Sequence, residues 1–309
     1  MAETKYRLVT RSDFDGLVCA VLLKSMNLID DILFVHPKDM QDGKIAITGR
    51  DITTNLPYVK GVYLAFDHHL SETLRNEKVD NHIINPDAPS AARVVYDYYG
   101  GLDRFPARWD DMMSAVDKGD AAQFSRDEIL YPEGWVLMNF LMDARTGLGR
   151  FREFTVSNYQ LMMDLIDYCH NHTIDQIMAL PDVRERVELF FAHEEKAKEQ
   201  IQRCTTVYKN LAVLDLRKEE PIYAVNRFMI YALFPQTNIS IHVMWGLKQQ
   251  NTVFAVGKSI LDRSSKTNVG ELCLQYHGGG HMNAGTCQIA NDEVEKVLAE
   301  ITAKINSDG

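Results

Sequence analysis

Val62-Tyr63-Leu64-Ala65-Phe66-Asp67-His68-His69 is the stretch whose reading decides the fold. A run of apolar and aromatic residues, of strand length, stops abruptly at a carboxylate and two imidazoles. The run suits a buried strand. Strand propensity does not explain an acidic residue and two histidines at its carboxyl end. In an open α/β sheet that edge is where ligands bind, and Asp with His is a ligand set for a divalent ion. Asp-His-His alone reads equally well as a polar turn capping the next helix. The surrounding chain has to decide.

Upstream, Arg7-Leu8-Val9-Thr10 reads as a short strand, followed by Arg11-Ser12-Asp13-Phe14-Asp15-Gly16. Residues 17–23 are then apolar all round, as in a buried helix. One Asp suffices to cap a helix. Two on alternate residues of an extended segment point the same way, and close carboxylates repel by on the order of a few kcal/mol at an intermediate dielectric. The pair therefore suggests a cation. Asp30-Asp31 precede a second strand, Ile32-Leu33-Phe34-Val35. Lys44-Ile45-Ala46-Ile47-Thr48 is a third candidate, with Asp51 just past its end. If these strands are parallel, as their alternation with helices suggests, Asp13, Asp15, Asp51 and Asp67 converge on one sheet edge. Two ions about 3.5–4 Å apart would turn that self-repelling cluster into an arrangement suited to phosphoryl hydrolysis.

Downstream, Ser90 caps a helix through Ala91, Val94, Val95 and Tyr98. A further helix over 109–116 delivers Asp117-Lys118-Gly119-Asp120, either of whose aspartates could be a plain helix-end residue. Residues 130–180 carry Met, Leu and aromatics at the spacing of core helices. Arg145-Thr146-Gly147-Leu148-Gly149-Arg150 lacks the preceding strand that a phosphate loop needs, although its arginines could reach an anion. Opposite charges at helical spacing over 183–204 read as a solvated connecting helix. The domain boundary falls there, giving 1–182, a linker of 183–208, and 209–309. Strand patterns follow at Leu211-Ala212-Val213-Leu214, Ile239-Ser240-Ile241-His242-Val243-Met244-Trp245 and Thr252-Val253-Phe254-Ala255-Val256-Gly257. Ser259 and Arg263 belong to a small basic and hydroxyl group. His277-Gly278-Gly279-Gly280-His281 then reads either as a plain loop or as an anion nest, since glycines let a ligand approach the main chain. A strand over 286–290 and an amphipathic helix from Asp292 close the chain.

The 309 residues are more than one ordinary core carries, so two domains are expected. A formal net charge of −10 argues against a broad basic grip on long nucleic acid. It leaves room for a phosphorylated substrate whose charge is met by bound ions. No apolar run of about 18 residues predicts a membrane span. Met1-Ala2-Glu3-Thr4-Lys5-Tyr6 lacks a signal-peptide pattern, so a cytoplasmic location is expected. Five scattered cysteines without a CxxC pair suit a reducing compartment. Cys169-His170-Asn171-His172 is either a metal cluster or a helix end, where His favours the dipole.

Asp13-Phe14-Asp15-Gly16, Asp51, Asp67-His68-His69, Asp117 and Gly278-Gly279-Gly280-His281 stand in the order seen in the DHH phosphoesterase superfamily. The chain resembles that family over nearly its whole length. The resemblance implies an α/β fold: a parallel-sheet DHH domain joined by a linker helix to a smaller mixed α/β domain of DHHA1 type, with the active site in the cleft between them. It implies two divalent ions held by Asp13, Asp15, Asp51, Asp67, His68 and Asp117, with Asp51 bridging. Carboxylate-rich ligation suits Mn²⁺, with Mg²⁺ as the alternative. Asp67 and His69 would serve the chemistry, His69 facing the phosphate, while Ser259, Arg263, Gly279, Gly280 and His281 would hold the substrate. The substrate implied is small and phosphorylated, a short oligonucleotide or nucleoside bisphosphate. Polyphosphate and a non-catalytic nucleotide sensor are the alternatives. Neither long nucleic acid nor a membrane is an expected partner, and a homodimer is open. The chain departs from the family at Val9, where many relatives carry a histidine, and at Arg11, a ligand position in some exonucleases. One metal site is therefore expected to be weaker or completed by water. Asp117 is preferred to Asp120 as the last ligand, and residues 130–180 could cap the cleft or form a subunit interface.

Overall fold

A computed structural model describes residues 5–309; residues 1–4, part of the stretch read for a leader, lie outside the described residues. The chain forms two compact units. The first takes in the chain up to Gln123 with Glu133–Ala144 and Leu148–Val187, the second Phe124–Pro132, Arg145–Gly147 and Glu188–Gly309.

Along the first half run β1 (Tyr6–Arg11), α1 (Phe14–Ser25), β2 (Ile29–Val35), α2 (Pro37–Gln41), β3 (Asp51–Thr54), β4 (Leu64–Asp67), α3 (Leu70–Arg75), β5 (His82–Ile84), α4 (Ala91–Tyr98) and α5 (Asp110–Asp120). The five strands are all parallel, in the order β2-β1-β3-β4-β5. Helices pack on the sheet, and the middle of its central strands is buried, Leu8 and Val9 in β1, Ile52 in β3, Ala65 and Phe66 in β4. Phe14 through Leu23 are all buried, because α1 packs against α4, α5 and the later helix Asn158–Asn171. That explains the absence of a polar face on α1. The helical stretch continues as α6 (Arg126–Leu130), α7 (Gly134–Met142), α8 (Asn158–Asn171), α9 (Ile174–Ala179) and α10 (Pro181–Cys204).

The third strand is not where the sequence pattern puts it. Among the described residues Lys44 to Thr48 has no ladder partner, because β1 is already paired on one edge with β2 and on the other with β3. Ile45 and Ile47 instead pack on the small cluster of Val9, Val35, Met40 and Leu56. The alternation reflects a half-buried extended segment rather than a strand. The real β3 starts at Asp51, which stands opposite Arg7 at the beginning of β1.

The second unit holds β6 (Thr205–Tyr208), β7 (Leu211–Asp215), α11 (Met229–Leu233), β8 (Ile239–Trp245), β9 (Thr252–Lys258), α12 (Val269–Leu274), β10 (Gly279–His281), β11 (Ala284–Ile289) and α13 (Val294–Asp308). Its strands lie in the order β10-β11-β9-β8-β7-β6, parallel only between β7 and β8. Val294, Val297, Ile301 and Ile305 of α13 join Val269 and Leu272 of α12 over its core. The architecture is the α/β combination expected, a parallel sheet in one unit and a mixed sheet in the other.

α10 runs from the first unit into the second. Cys169 to His172 is the end of α8, with Cys169 buried and its thiol pushed up to about 12 by that burial. Among the described residues no helix is long and apolar enough to cross a membrane.

Candidate metal centre

The carboxyl edge of the parallel sheet gathers side chains from four places. Asp13, after β1, caps α1 by accepting from the Gly16 amide at 3.0 Å. A side chain on Gly16 would stand 2.0 Å from the Arg11 carbonyl, so glycine is required for the chain to turn this tightly. Asp15 points inward, and its oxygens accept from the Ala91 and Ala92 amides at 3.0 and 2.7 Å. These are the free donors at the start of α4, which favour a negative charge.

Asp67 ends β4. Its Oδ1 accepts from the His68 amide at 2.8 Å, the His69 amide at 3.3 Å and His69 Nδ1 at 2.7 Å. His68 Nδ1 lies 3.1 Å from the Ala88 carbonyl, which can only accept, so the proton is assigned to Nδ1. Nε2 is then the nitrogen with a lone pair in the neutral ring. It lies 2.9 Å from Asp120 Oδ2, at the end of α5, yet out of line for a hydrogen bond.

Polar atoms left unpaired concentrate here. Asp67 Oδ2, His68 Nε2 and Asn55 Oδ1 are buried without a hydrogen-bond partner. Buried polar atoms are nearly always paired, so three such acceptors at one sheet edge fit a cation. Two groups are close enough to share one: Asp67, His68 and His69, and Asp15, His68 and Asp120, each with ligand atoms within 4.8 Å of one another. Carboxylates, an amide oxygen and imidazole are the donors that suit manganese or magnesium.

The charges shift one another accordingly. Burial, with Asp120 and Asp13 nearby, pushes the Asp15 carboxyl up to about 8. Burial opposes a charged His68, but the Asp120 and Asp15 carboxylates outweigh it and raise the ring to about 9. His69 rises likewise against its burial through Asp67. For Asp120, crowding by protein opposes ionisation, but His68, His69 and Arg11 hold the carboxyl below its usual range.

Two sequence-predicted ligands stand elsewhere. Asp51 is at the amino end of β3, not past a carboxyl end. There it takes Arg7 Nε at 2.7 Å and the Thr48 amide and hydroxyl at 2.6 and 3.0 Å. Placing the third strand too early displaced it. Asp117 lies one helical turn before Asp120 and turns toward α4, where it meets Ser90 Oγ at 2.7 Å and Arg93 at 3.0 and 2.5 Å. Asp120, not Asp117, meets His68. Sequence reading missed Asn55 altogether: it directly follows the real β3, with Nδ2 3.3 Å from Asp13 Oδ1. A correct boundary for that strand was the one signal that could have found it.

In the second unit, the glycine run is an edge strand rather than a loop, because β10 pairs with β11. A side chain on Gly278 would meet the Thr286 carbonyl at 2.2 Å, and one on Gly280 the Ala284 carbonyl at 2.3 Å. At Gly279 there is open space within 4 Å of that position. Two of the three glycines thus answer to packing, and Gly279 alone leaves room for a ligand. His281, at the end of β10, is exposed. Ser259 is buried and builds a turn by accepting from the Leu261 and Asp262 amides at 3.2 and 3.0 Å. Arg263 follows on the exposed side.

No family model matches the chain, and no curated protein does. Solved structures do. The pGpG-specific phosphodiesterase PggH from Vibrio cholerae is 65% identical, covering 99% of this chain and 100% of its own, with a TM-score of 0.86. RecJ from Thermus thermophilus in complex with Mn²⁺ aligns at 13% identity over 99% of this chain and 52% of its own, TM-score 0.58. An exonuclease RecJ bound to manganese aligns at 12% identity over 99% and 91%, TM-score 0.51. The RecJ likenesses speak for the fold.

Proposed function

The chain belongs to the DHH phosphoesterase superfamily and is a phosphohydrolase, and on that premise we propose that it hydrolyses pGpG to two molecules of GMP. The 65% identity to a pGpG-specific phosphodiesterase, end to end in both chains, carries this reading. The acidic net charge supports a short substrate over a long strand.

Asp15, Asp67, His68 and Asp120 would hold a divalent ion, Mn²⁺ in the first place and Mg²⁺ as the alternative, with Asn55 offering a neutral oxygen. When bound, such an ion polarises a phosphoryl oxygen and makes water acidic enough to supply hydroxide near neutral pH. His69 is oriented by its Nδ1 contact with Asp67 at 2.7 Å. It faces the scissile phosphate as a proton donor to the departing 3′ oxygen, which must gain a proton as water adds to phosphorus. In the second unit, Gly279, His281 and Arg263 are the residues offered to a phosphate, and Ser259 builds the turn that leads to Arg263.

The test is a Mn²⁺-supported hydrolysis assay across pGpG, pApA, phosphoadenosine phosphate, a cyclic dinucleotide and polyphosphate. GMP release from pGpG, well ahead of the others, is the expected result. Preferred turnover of polyphosphate or the bisphosphate would replace the substrate assignment. Tight binding of pGpG without turnover of any substrate would make the chain a sensor.

A further inference from the structure

We infer that the centre is built for a single divalent cation, and that the Arg11 guanidinium, paired with Asp13, takes the place of a second. The inference rests on the phosphohydrolase reading above and concerns only how many ions that site holds.

Charge at the sheet edge divides into two halves. In one half, Asp15, Asp67 and Asp120 gather about His68, and among the described residues none of the three forms an ion pair with a lysine or arginine. Asp67 Oδ2 and His68 Nε2 are buried and unpaired there. Three carboxylates crowd two imidazoles there, and a single divalent ion is the charge that lets all three ionise together.

The other half is already neutral. Asp13 Oδ2 lies 2.9 Å from Arg11 Nε. Its Oδ1 accepts from the Gly16 amide at 3.0 Å and from Asn55 Nδ2 at 3.3 Å. Its neighbour across the edge is thus an amide, which adds no charge. The Asn55 orientation follows from Asp13: a carboxylate requires the NH₂ group toward it. The carbonyl is then left buried without a partner, as a neutral oxygen donor. Val9, below Arg11 on β1, is fully buried in the apolar cluster with Val35, Met40 and Leu56 and offers no ligand atom.

A second dication beside Asp13 would be attracted by that carboxylate and opposed by the guanidinium 2.9 Å from its oxygen. Apart from Asp13, already paired with Arg11, the donor on this side is the neutral Asn55, too few to replace an ion's hydration shell. A guanidinium brings one positive charge with a fixed fork of donors. It serves the role of a second cation, neutralising Asp13 and any phosphoryl oxygen beside it, without needing a site of its own.

The test is calorimetric titration of Mn²⁺ into the full-length protein, with electron paramagnetic resonance on the loaded sample. We expect one Mn²⁺ per chain and the spectrum of an isolated ion. Zero or two ions per chain, or an exchange-coupled pair, overturns the inference. The double variant Arg11→Ala, Asn55→Asp removes the guanidinium and adds a carboxylate, and its fold is checked by circular dichroism. A rise to two ions per chain is expected. A folded double variant that still takes one overturns the role given to Arg11. Assaying pGpG turnover on the same wild-type sample keeps the two readings apart. Two ions with turnover would remove the ion count alone, and one ion without turnover would remove the function alone.

Discussion

Asp51 and Asp67 stand on neighbouring strands of one sheet, each almost fully buried at 2% and 1% exposure, and at opposite ends. Asp51 opens β3 with its charge met by Arg7 and its oxygens by Thr48. Asp67 closes β4 with three donors on one oxygen and none on the other. Burial of a carboxylate does not separate structure from function; an unmet acceptor does. The strongest way to break this comparison is Asp67→Ala. Hydrolysis should fall by about 10³-fold or more, since a group of the reacting centre is lost. The melting temperature should fall by a few degrees, because three donors lose their acceptor, while circular dichroism shows the fold retained. Retained turnover would remove the distinction between the two ends.

The same contrast separates Gly280 from Gly279. Alanine at Gly280 would drive a carbon to 2.3 Å from the Ala284 carbonyl at a φ of +157°. Such strain costs on the order of 1–3 kcal/mol, so thermal unfolding of Gly280→Ala should come several degrees early. Gly279→Ala meets no atom within 4 Å and should melt like the wild type while raising the KM for pGpG. Equal melting temperatures for the two variants would mean that packing does not account for the run.

A smaller effect is expected in α5. Asp120→Asn should weaken Mn²⁺ binding by about 10- to 100-fold, with little change in stability. Asp117→Asn should do the reverse, since it loosens Ser90 and Arg93 at the start of α4 and leaves the His68 contact alone. Calorimetric titration beside a melt separates the two, and a loss of metal affinity in Asp117→Asn would sink the assignment.

Much of this was legible in the sequence. The Asp13-Phe14-Asp15 turn, the strand ending in Asp67-His68-His69 and the βα alternation place one edge of the sheet correctly, because each depends on local pattern. Asp51 and Asn55 were not legible. Ile45 and Ile47 alternate like a strand, and only the tertiary fact that β1 has both edges taken denies them a partner. Asp117 and Asp120 lie three residues apart on one helix, and which of them faces His68 depends on how α5 packs beside α4. The glycine run carried a different ambiguity: positive φ, close packing and ligand access all select glycine. Neighbouring atoms were needed to assign Gly280 to packing and Gly279 to open space.

The mildest test returns to Asp51. Burial opposes its charge, but Arg7 and the Thr48 donors win and hold its carboxyl below the usual value. A carboxyl depressed in the folded chain contributes stability that is full above its unfolded pKa of about 4. That contribution is lost as pH falls through the lower folded value, where the unfolded chain has already taken up its proton. Asp51→Asn keeps an oxygen for Thr48 but leaves Arg7, itself about a third exposed, without a counter-charge. Water can solvate that arginine, so the loss should be modest, about 1 kcal/mol at neutral pH. It should shrink as pH falls below 4, because the unfolded wild type then takes up the proton that the folded carboxylate refuses. Urea unfolding at pH 7 and pH 3 reads the difference, with pGpG turnover unchanged at pH 7. A loss of turnover would draw Asp51 into the site from the far end of the sheet. A stability gap that persists at pH 3 would show that shape, not charge, fixes this end of β3.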